Sequence, residues 1–586
     1  MQSAETVLGV LRERGRRGLP LEELYRQLFN PQLYLLAYGR LYSNDGAMTA
    51  GATGETVDGM SLGKIGRVID ALRHERFRWS PARRVHIPKR NGGRRPLGLP
   101  TWTDKLVAEV VRLLLEAYYE PRFHDASHGF RPGRGCHTAL RKIADTWQGT
   151  AWFIEGDIAD CFGSLDHGVM LGTLGEKIHD GRFLRLVRHM LQAGYLEEWV
   201  FHATLSGSPQ GGVASPILSN IYLDRLDTFV EQVLIPEYTR GSQRTPSREY
   251  HNTYYAMRRA RDRGDMAAFR AHRKRLRELP SSDPMDPGYR RLRYIRYADD
   301  VLLGFAGPKA EAEKIKARLA VFLREELKLE LSHDKTLITH ARTGAARFLG
   351  YEITVQHSST RITHRRRSVN GVIRLRVPTS MIEAKCTRFM KRGKPVHRSD
   401  LMGSTDREII GRFGAEYRGI VQYYLLASDV FRLDRLHWVM ETSMLKTLAG
   451  KHRSTVSAMS RRYRARIDTP YGPYKCFQAT TTRPGRKPLV ARFGGVPLRQ
   501  NRKALIVDKS ALAPPVRRKE LVSRLLAGRC ELCNGHDEIA VHHVAKLADL
   551  SDRRQPHPHW VTVMLKKRRK TLVVCRDCHH LIHHGG

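Results

Sequence analysis

The chain has 586 residues, and at roughly 150 residues per domain this length points to several domains, each long enough to bury its own core. Lysine and arginine number 101 against 59 acids, a formal net charge of +42, so the expected partner is a polyanion, with nucleic acid foremost. With 41% hydrophobic and 27% charged residues the composition excludes a wholly disordered basic tail, and the basicity is expected on folded surfaces.

No run reaches the roughly 18 uninterrupted apolar residues of a membrane span. The first stretch mixes Glu5, Arg12, Glu13, Arg14, Arg16 and Arg17 with short apolar pieces, so neither a span nor a signal peptide is expected. Residues 20–80 read as helical, with a Gly-rich interruption at 45–54 expected to be a mobile loop and a helix over 61–74. No internal repeat is visible, which leaves solenoid and propeller readings without support.

From 84 to 352, β-rich runs at 151–158 and 293–305 alternate with helical stretches at 104–120 and 309–326, an α+β pattern. A basic helical insertion at 245–278 interrupts it and ends in a loop rich in proline and aspartate. Over 374–501 the helical period returns. Tyr417, Ile420, Val421 and Tyr424 share one face there, and Leu433, Leu436, Met440 and Leu448 another. Basic helices carrying Arg461, Arg462, Arg464 and Arg466 around Tyr463 suit a phosphate backbone plus stacking. Pro514-Pro515 marks a break before a C-terminal cluster of cysteine and histidine.

Two chemical features stand out. Asp299 and Asp300 lie inside the β-forming run Tyr294-Ile295-Arg296-Tyr297-Ala298-Asp299-Asp300-Val301-Leu302. Unpaired carboxylates are costly to bury there, so a hairpin turn holding them over magnesium is expected. Asp157, in a second β-like run, is the candidate third acid. Two Mg²⁺ about 3.5–4 Å apart could then activate a 3′-hydroxyl and stabilise leaving pyrophosphate. The second feature is a pair of CxxC motifs, Cys530/Cys533 and Cys575/Cys578, separated by 41 residues. Such pairs read as one tetrahedral Zn²⁺ site stapling a small domain, with the thiols kept reduced in the cytosol.

Asp157-Ile158 with Phe162, then Ser208-Pro209-Gln210-Gly211-Gly212 and Tyr297-Ala298-Asp299-Asp300, resemble in their order the reverse transcriptases encoded by group II introns. The resemblance extends upstream to the basic hairpin-like segment around Lys89 and Arg95 and to His128-Gly129-Phe130-Arg131. Downstream it takes in Leu331 to Thr336, Phe348-Leu349-Gly350-Tyr351 and the helical stretch around Tyr417. It implies that Asp157, Ile158, Asp299 and Asp300 form the metal site and that Phe162 gates the sugar by excluded volume. Lys89 and Arg95 would clamp the triphosphate, Gln210 contact template or nucleotide, and Lys335 give a proton to pyrophosphate. Gly207 to Gly212 would let backbone approach a ligand closely.

The tail, with His542-His543, Trp560, His579 and His583, resembles an HNH endonuclease. His543 would be its general base, and His542, His579 and His583 the ligands of a divalent ion, magnesium being expected. Lys570 stands where many such motifs carry asparagine, and His580 and His584 would be exposed spares.

The implied architecture is a multidomain α+β protein. A helical extension of the fingers would span 1–80, fingers and palm of a right-hand polymerase 81–368, a helical thumb and maturase region 369–510, and a zinc-bound ββα-metal unit 511–586. The implied activity is RNA-directed DNA synthesis, assistance to splicing, and nicking of DNA to make a primer. Intron RNA, target DNA and dNTPs would be partners, and no membrane. One alternative is a maturase acting as an RNA chaperone with decayed catalytic sites, against which the intact aspartates argue. Another is a polymerase of a different bacterial retroelement, disfavoured by the maturase-like helices and the histidine-rich tail.

Overall fold

The computed structural model describes all residues except 1, 89–91, 205, 208–210, 284–285, 333–335, 359–361, 364–365, 368–369, 507–515, 551–556 and 585–586. The break expected at Pro514-Pro515 lies outside the described residues.

Helices Ala4–Arg16, Pro31–Leu41 and Leu62–Arg73 open the chain. The side chains of Ser3, Asn30 and Ser61 accept the first free amides of these helices, which is why each begins where it does. The first two pack on the long buried helix Trp102–Tyr119. The segment 45–54, expected as a mobile loop, is packed instead. It contains the 3-10 turn Asp45–Met48, Ala47 is buried, and a Cβ on Gly51 would lie 2.6 Å from the Thr101 amide nitrogen. Lys105 Nζ donates to the carbonyls of Gly46 and Thr49 at 3.1 and 3.0 Å, and Gly51 is the glycine that close packing requires.

The central sheet is antiparallel, with strand order Arg291–Tyr297, Asp300–Ala306, Trp152–Asp157, Leu337–His340. The apolar run Val301 to Ala306 is covered on both faces and reads as a central strand. A second sheet, order Arg94–Leu99, Ala82–Pro88, Tyr195–Glu197, Val200–His202, carries the basic hairpin. The insertion is a helical hairpin, Arg248–Asp262 and Met266–Leu276, turning at Gly264 with φ +75°.

Helices Asp406–Tyr423 and Asp434–Lys451 share a core with the strands Ala346–Phe348, Tyr351–Val355 and Ile373–Arg376. After the strand Ile373–Arg376, and broken by the short hairpin Met390–Lys391 with Lys394–Pro395, the helical reading of this region holds in the main from Thr379 to Tyr463. Beyond it lies a three-stranded antiparallel sheet, Arg464–Thr469, Gly472–Arg483 and Arg486–Gly494. Arg464 and Arg466 therefore stand on the exposed side of a strand, in the period-2 alternation of a half-covered sheet. Tyr463 is buried, its hydroxyl donating to Asp406 at 2.5 Å, and offers no ring for stacking on RNA.

At the C-terminus, strands Ala540–His543 and Thr571–Val574 pair antiparallel, followed by the helix Arg576–His584. The short strand Met60–Ser61 adds to the edge of this pair, Met60 opposite Val541 and Ser61 opposite Ala540. Leu521, Leu525, Val541 and Val573 join the apolar core of the N-terminal helices. No described helix is long and apolar enough to cross a membrane.

Candidate active sites

The first site is built on the central sheet. Tyr297 closes the pairing with Asp300, and Ala298 takes φ +55°, which turns the chain sharply and leaves Asp299 at the tip. Across the neighbouring strand, Asp157 is the register partner of Asp300, so two acids 143 positions apart in the sequence sit side by side. All three carboxylates belong to half-buried residues. Beside them, burial and then the charge of Asp299 push the Cys161 thiol up to about 12, as expected for a group held near anions away from water. Carboxylates on this turn and on the strand beside it are hard oxygen donors of the kind that suit a divalent cation such as magnesium. The Ile158 side chain is buried, so that residue can offer only its carbonyl.

The turn is held from beneath by groups that patterning did not reveal. Arg296 is completely buried, donating to both oxygens of Asp227 at 2.8 and 2.5 Å, to Asn220 Oδ1 at 3.1 Å, to Ser127 Oγ at 2.9 Å and to the Ala298 carbonyl at 2.9 Å. Tyr294 donates its hydroxyl to Asp227 at 2.7 Å. Gly129, at φ +47°, passes so close that a Cβ would sit 2.5 Å from the Ala298 nitrogen. Gly129 is thus a support of the turn. His128 is held neutral by burial and by Arg134, its pKa pushed down to about 3.

Phe162 is half-buried, its ring edge-on to that of Phe130 at 6.3 Å between centroids. Gly207 and Gly211 both pass close to other parts of the chain. A Cβ on Gly207 would lie 2.6 Å from the Gly163 carbonyl oxygen, and one on Gly211 2.5 Å from Leu97. Arg95 is exposed on the hairpin of Ala82–Pro88 and Arg94–Leu99, opposite Ile87. Lys89, Gln210 and Lys335 lie outside the described residues.

The second site is at the C-terminus. The sulfurs of Cys530, Cys533, Cys575 and Cys578 lie within 4.8 Å of one another, with Cys533 and Cys575 at 3.6 Å. Burial alone would raise the Cys530 thiol, but the surrounding backbone amides outweigh it and hold the pKa down to about 7. Four soft donors at this spacing fit zinc.

His542, His579 and His583 form a separate cluster with Asp58, a residue that patterning did not single out. His583 Nε2 is 2.8 Å from Asp58 Oδ2, His579 Nε2 3.4 Å from the same oxygen, and His542 Nδ1 3.2 Å from Asp58 Oδ1. His542 Nε2 is buried and, among the described residues, has no hydrogen-bond partner, while its Nδ1 faces Asp58; this suits a metal ligand. His543 lies beside the cluster rather than in it. Its backbone N–H donates to Asp58 Oδ1 at 2.7 Å, and its Nε2 is 2.9 Å from the Tyr38 hydroxyl. Burial pushes its pKa down to about 3. As expected, His580 and His584 are exposed.

An acid-bearing turn in a four-stranded antiparallel sheet, joined to a cysteine-stapled ββα unit with its own histidine cluster, defines a nucleic-acid polymerase that carries a metal-dependent nuclease. The reverse transcriptase (RNA-dependent DNA polymerase) family matches residues 87–353, the type II intron maturase family 372–482, and the AI2M/AI1M-like HNH endonuclease family 530–579. The group II intron-encoded protein LtrA of Lactococcus lactis subsp. cremoris is 40% identical, over 96% of this chain and 95% of its own length. A 91 kDa protein in a cob intron of Schizosaccharomyces pombe is 34% identical, over 96% of this chain and 69% of its own.

The chain belongs to the group II intron-encoded proteins. It is a reverse transcriptase and maturase with HNH endonuclease function, and it binds intron RNA.

Proposed function

We propose that the chain, working in the cytosol, copies intron RNA into DNA from a primer that its own endonuclease opens in target DNA. Asp157, Asp299 and Asp300, with the carbonyl of Ile158, hold magnesium at the polymerase site. A bound pair of such ions supplies charge stabilisation at the attacking 3′-oxygen and the leaving pyrophosphate. The protein's own part is positional: the paired strands keep Asp157 beside Asp300, and the buried Arg296 keeps the turn from shifting. Arg95, together with Lys89, receives the triphosphate of a dNTP. Phe162, backed by Phe130, excludes a 2′-hydroxyl, while Gln210 meets the template and Lys335 gives a proton to pyrophosphate.

In the tail, Cys530, Cys533, Cys575 and Cys578 bind zinc. His542, His579 and His583 bind the nuclease ion, and His543 takes the proton from the attacking water. The register pairing of Asp157 with Asp300, with Asp299 at the adjoining tip, carries the polymerase reading.

Primer extension on an RNA template tests it. Asp299→Ala should abolish cDNA synthesis while leaving RNA binding within a few-fold, and equal loss of both would mean that the aspartate is structural. His543→Ala should stop DNA cleavage and spare polymerisation; surviving cleavage would remove His543 as the base.

A further inference from the structure

The geometry points to Asp58 of the N-terminal extension as the fourth protein ligand of the endonuclease ion, making the metal a clamp between the two ends of the chain and closing its coordination while they are docked. This rests on the reading of His542, His579 and His583 as metal ligands.

Asp58 is placed by structure on both sides of it. Its own amide donates to Thr56 Oγ1 at 3.3 Å, and two residues later the chain enters the strand Met60–Ser61, which pairs with Ala540–His543. That pairing brings the loop holding Asp58 against the inner face of the ββα unit. The carboxylate contacts all three histidines and also accepts the His543 N–H, so both oxygens are engaged. The three rings crowd one another, His542 lying 5.6 Å from His579 and 5.2 Å from His583 between centroids, and His579 4.7 Å from His583. One candidate donor atom from each of the four residues falls within 4.8 Å of the others, the span expected of ligands around one ion.

Three imidazoles and one carboxylate form a set that divalent transition metals accept in four-coordinate geometry. A catalytic site keeps an open position for water or substrate, and a structural site does not. With Asp58 in place the open position is filled by protein, where a scissile phosphate would otherwise bind. The same extension also engages the neighbouring histidine, Tyr38 being hydrogen bonded to His543 Nε2. In the docked form the nuclease ion is therefore a joint, and DNA must displace Asp58 to reach it.

The full chain, its cysteine site already filled with zinc, is titrated with Co²⁺ and followed by visible absorption. Wild type should bind one ion with the intense band of four-coordinate cobalt. Asp58→Asn should weaken Co²⁺ binding at least tenfold and replace that band with the weak one of a water-bearing, higher-coordinate ion. Asp58→Glu should restore part of the affinity. His579→Ala should lose the site in either event.

If Asp58→Asn titrates like wild type while His579→Ala fails to bind, the three histidines hold the ion and the inference is overturned. If His579→Ala also titrates like wild type, the three-histidine reading itself is wrong. Should Asp58→Asn not fold, the wild-type spectrum decides alone, since a higher-coordinate band there contradicts a closed site.

Discussion

Arg296 and Asp227 form an ion pair in which neither side chain has any exposure to solvent, and the same guanidinium donates to the carbonyl of Ala298, the left-handed residue of the acid-bearing turn. A buried pair of this kind contributes little net stability against an apolar replacement. Breaking it from one side costs about 3–5 kcal/mol, because an uncompensated charge remains in the interior. Its place here is explained by position: it ties the turn to the helix Ser215–Phe229, on which Asp227 and Asn220 both lie.

Asp227→Ala should accordingly destabilise the chain by about 3–5 kcal/mol in urea unfolding and abolish primer extension. The double variant Asp227→Leu with Arg296→Met should recover much of the stability without recovering synthesis, since the bond to Ala298 is gone. Full activity in the double variant would show that the turn stands without this support.

A ring beside the sugar discriminates by volume, so shrinking it removes the discrimination without touching the acids. Phe162→Ala should raise the ratio of ribonucleotide to deoxyribonucleotide incorporation, read as kcat/KM for each, by tenfold or more. Phe130→Ala, which removes only the edge contact behind that ring, should give a smaller change in the same direction. An unchanged ratio in Phe162→Ala would remove the residue from the nucleotide site.

Asp406 ties three helices together: Lys451 Nζ at 2.8 Å, His452 Nε2 at 2.9 Å and the Tyr463 hydroxyl at 2.5 Å all meet its carboxylate. Burial alone would raise this carboxyl, but the hydrogen bonds from Lys451, Tyr463 and His452 outweigh it and hold the pKa at about 2. The folded value lies below the ordinary one, so the stabilisation is fully present above about pH 4 and is lost as pH falls through about 2. Asp406→Asn should lower the melting temperature at pH 7, and the gap between variant and wild type should narrow as the solution is acidified toward pH 3. A gap that is constant with pH would show that the ionised carboxylate is not what holds these helices.

Asp299-Asp300 was legible because two adjacent acids break a β-forming run conspicuously. Arg296 was not, since an arginine in an alternating strand reads as an exposed one. Its burial depends on Asp227, 69 positions away. The cysteines announced themselves by spacing, and His579 and His583 by the resemblance of the tail to an HNH endonuclease. Asp58 had no such signal: an aspartate in a Gly-rich stretch suggests a turn, and only the pairing of Met60–Ser61 with the far end of the chain gives it partners. The sheet at 464–494 was hidden by the arginines of its first strand, which drew attention away from the alternating Ala465 and Ile467 and from Phe477, Ala479, Ala491 and Phe493 on its covered face.

The basic insertion presents Arg258, Arg259, Arg270, Arg273 and Lys274 on exposed helical surface, with the rings of Tyr254 and Tyr255 also open to solvent. A merely solvated face would leave RNA binding indifferent to these charges, whereas phosphate contacts make affinity fall linearly in log salt, with a slope of about 0.7–0.9 per contact. Wild-type binding to intron RNA should weaken steeply between low and physiological salt. Replacing Arg258, Arg270, Arg273 and Lys274 together by alanine should flatten the slope by up to about 3, and affinities should converge at high salt, where both proteins have lost the electrostatic contribution. Parallel lines in that plot would assign the insertion to solvent and place the RNA contacts elsewhere on the basic surface.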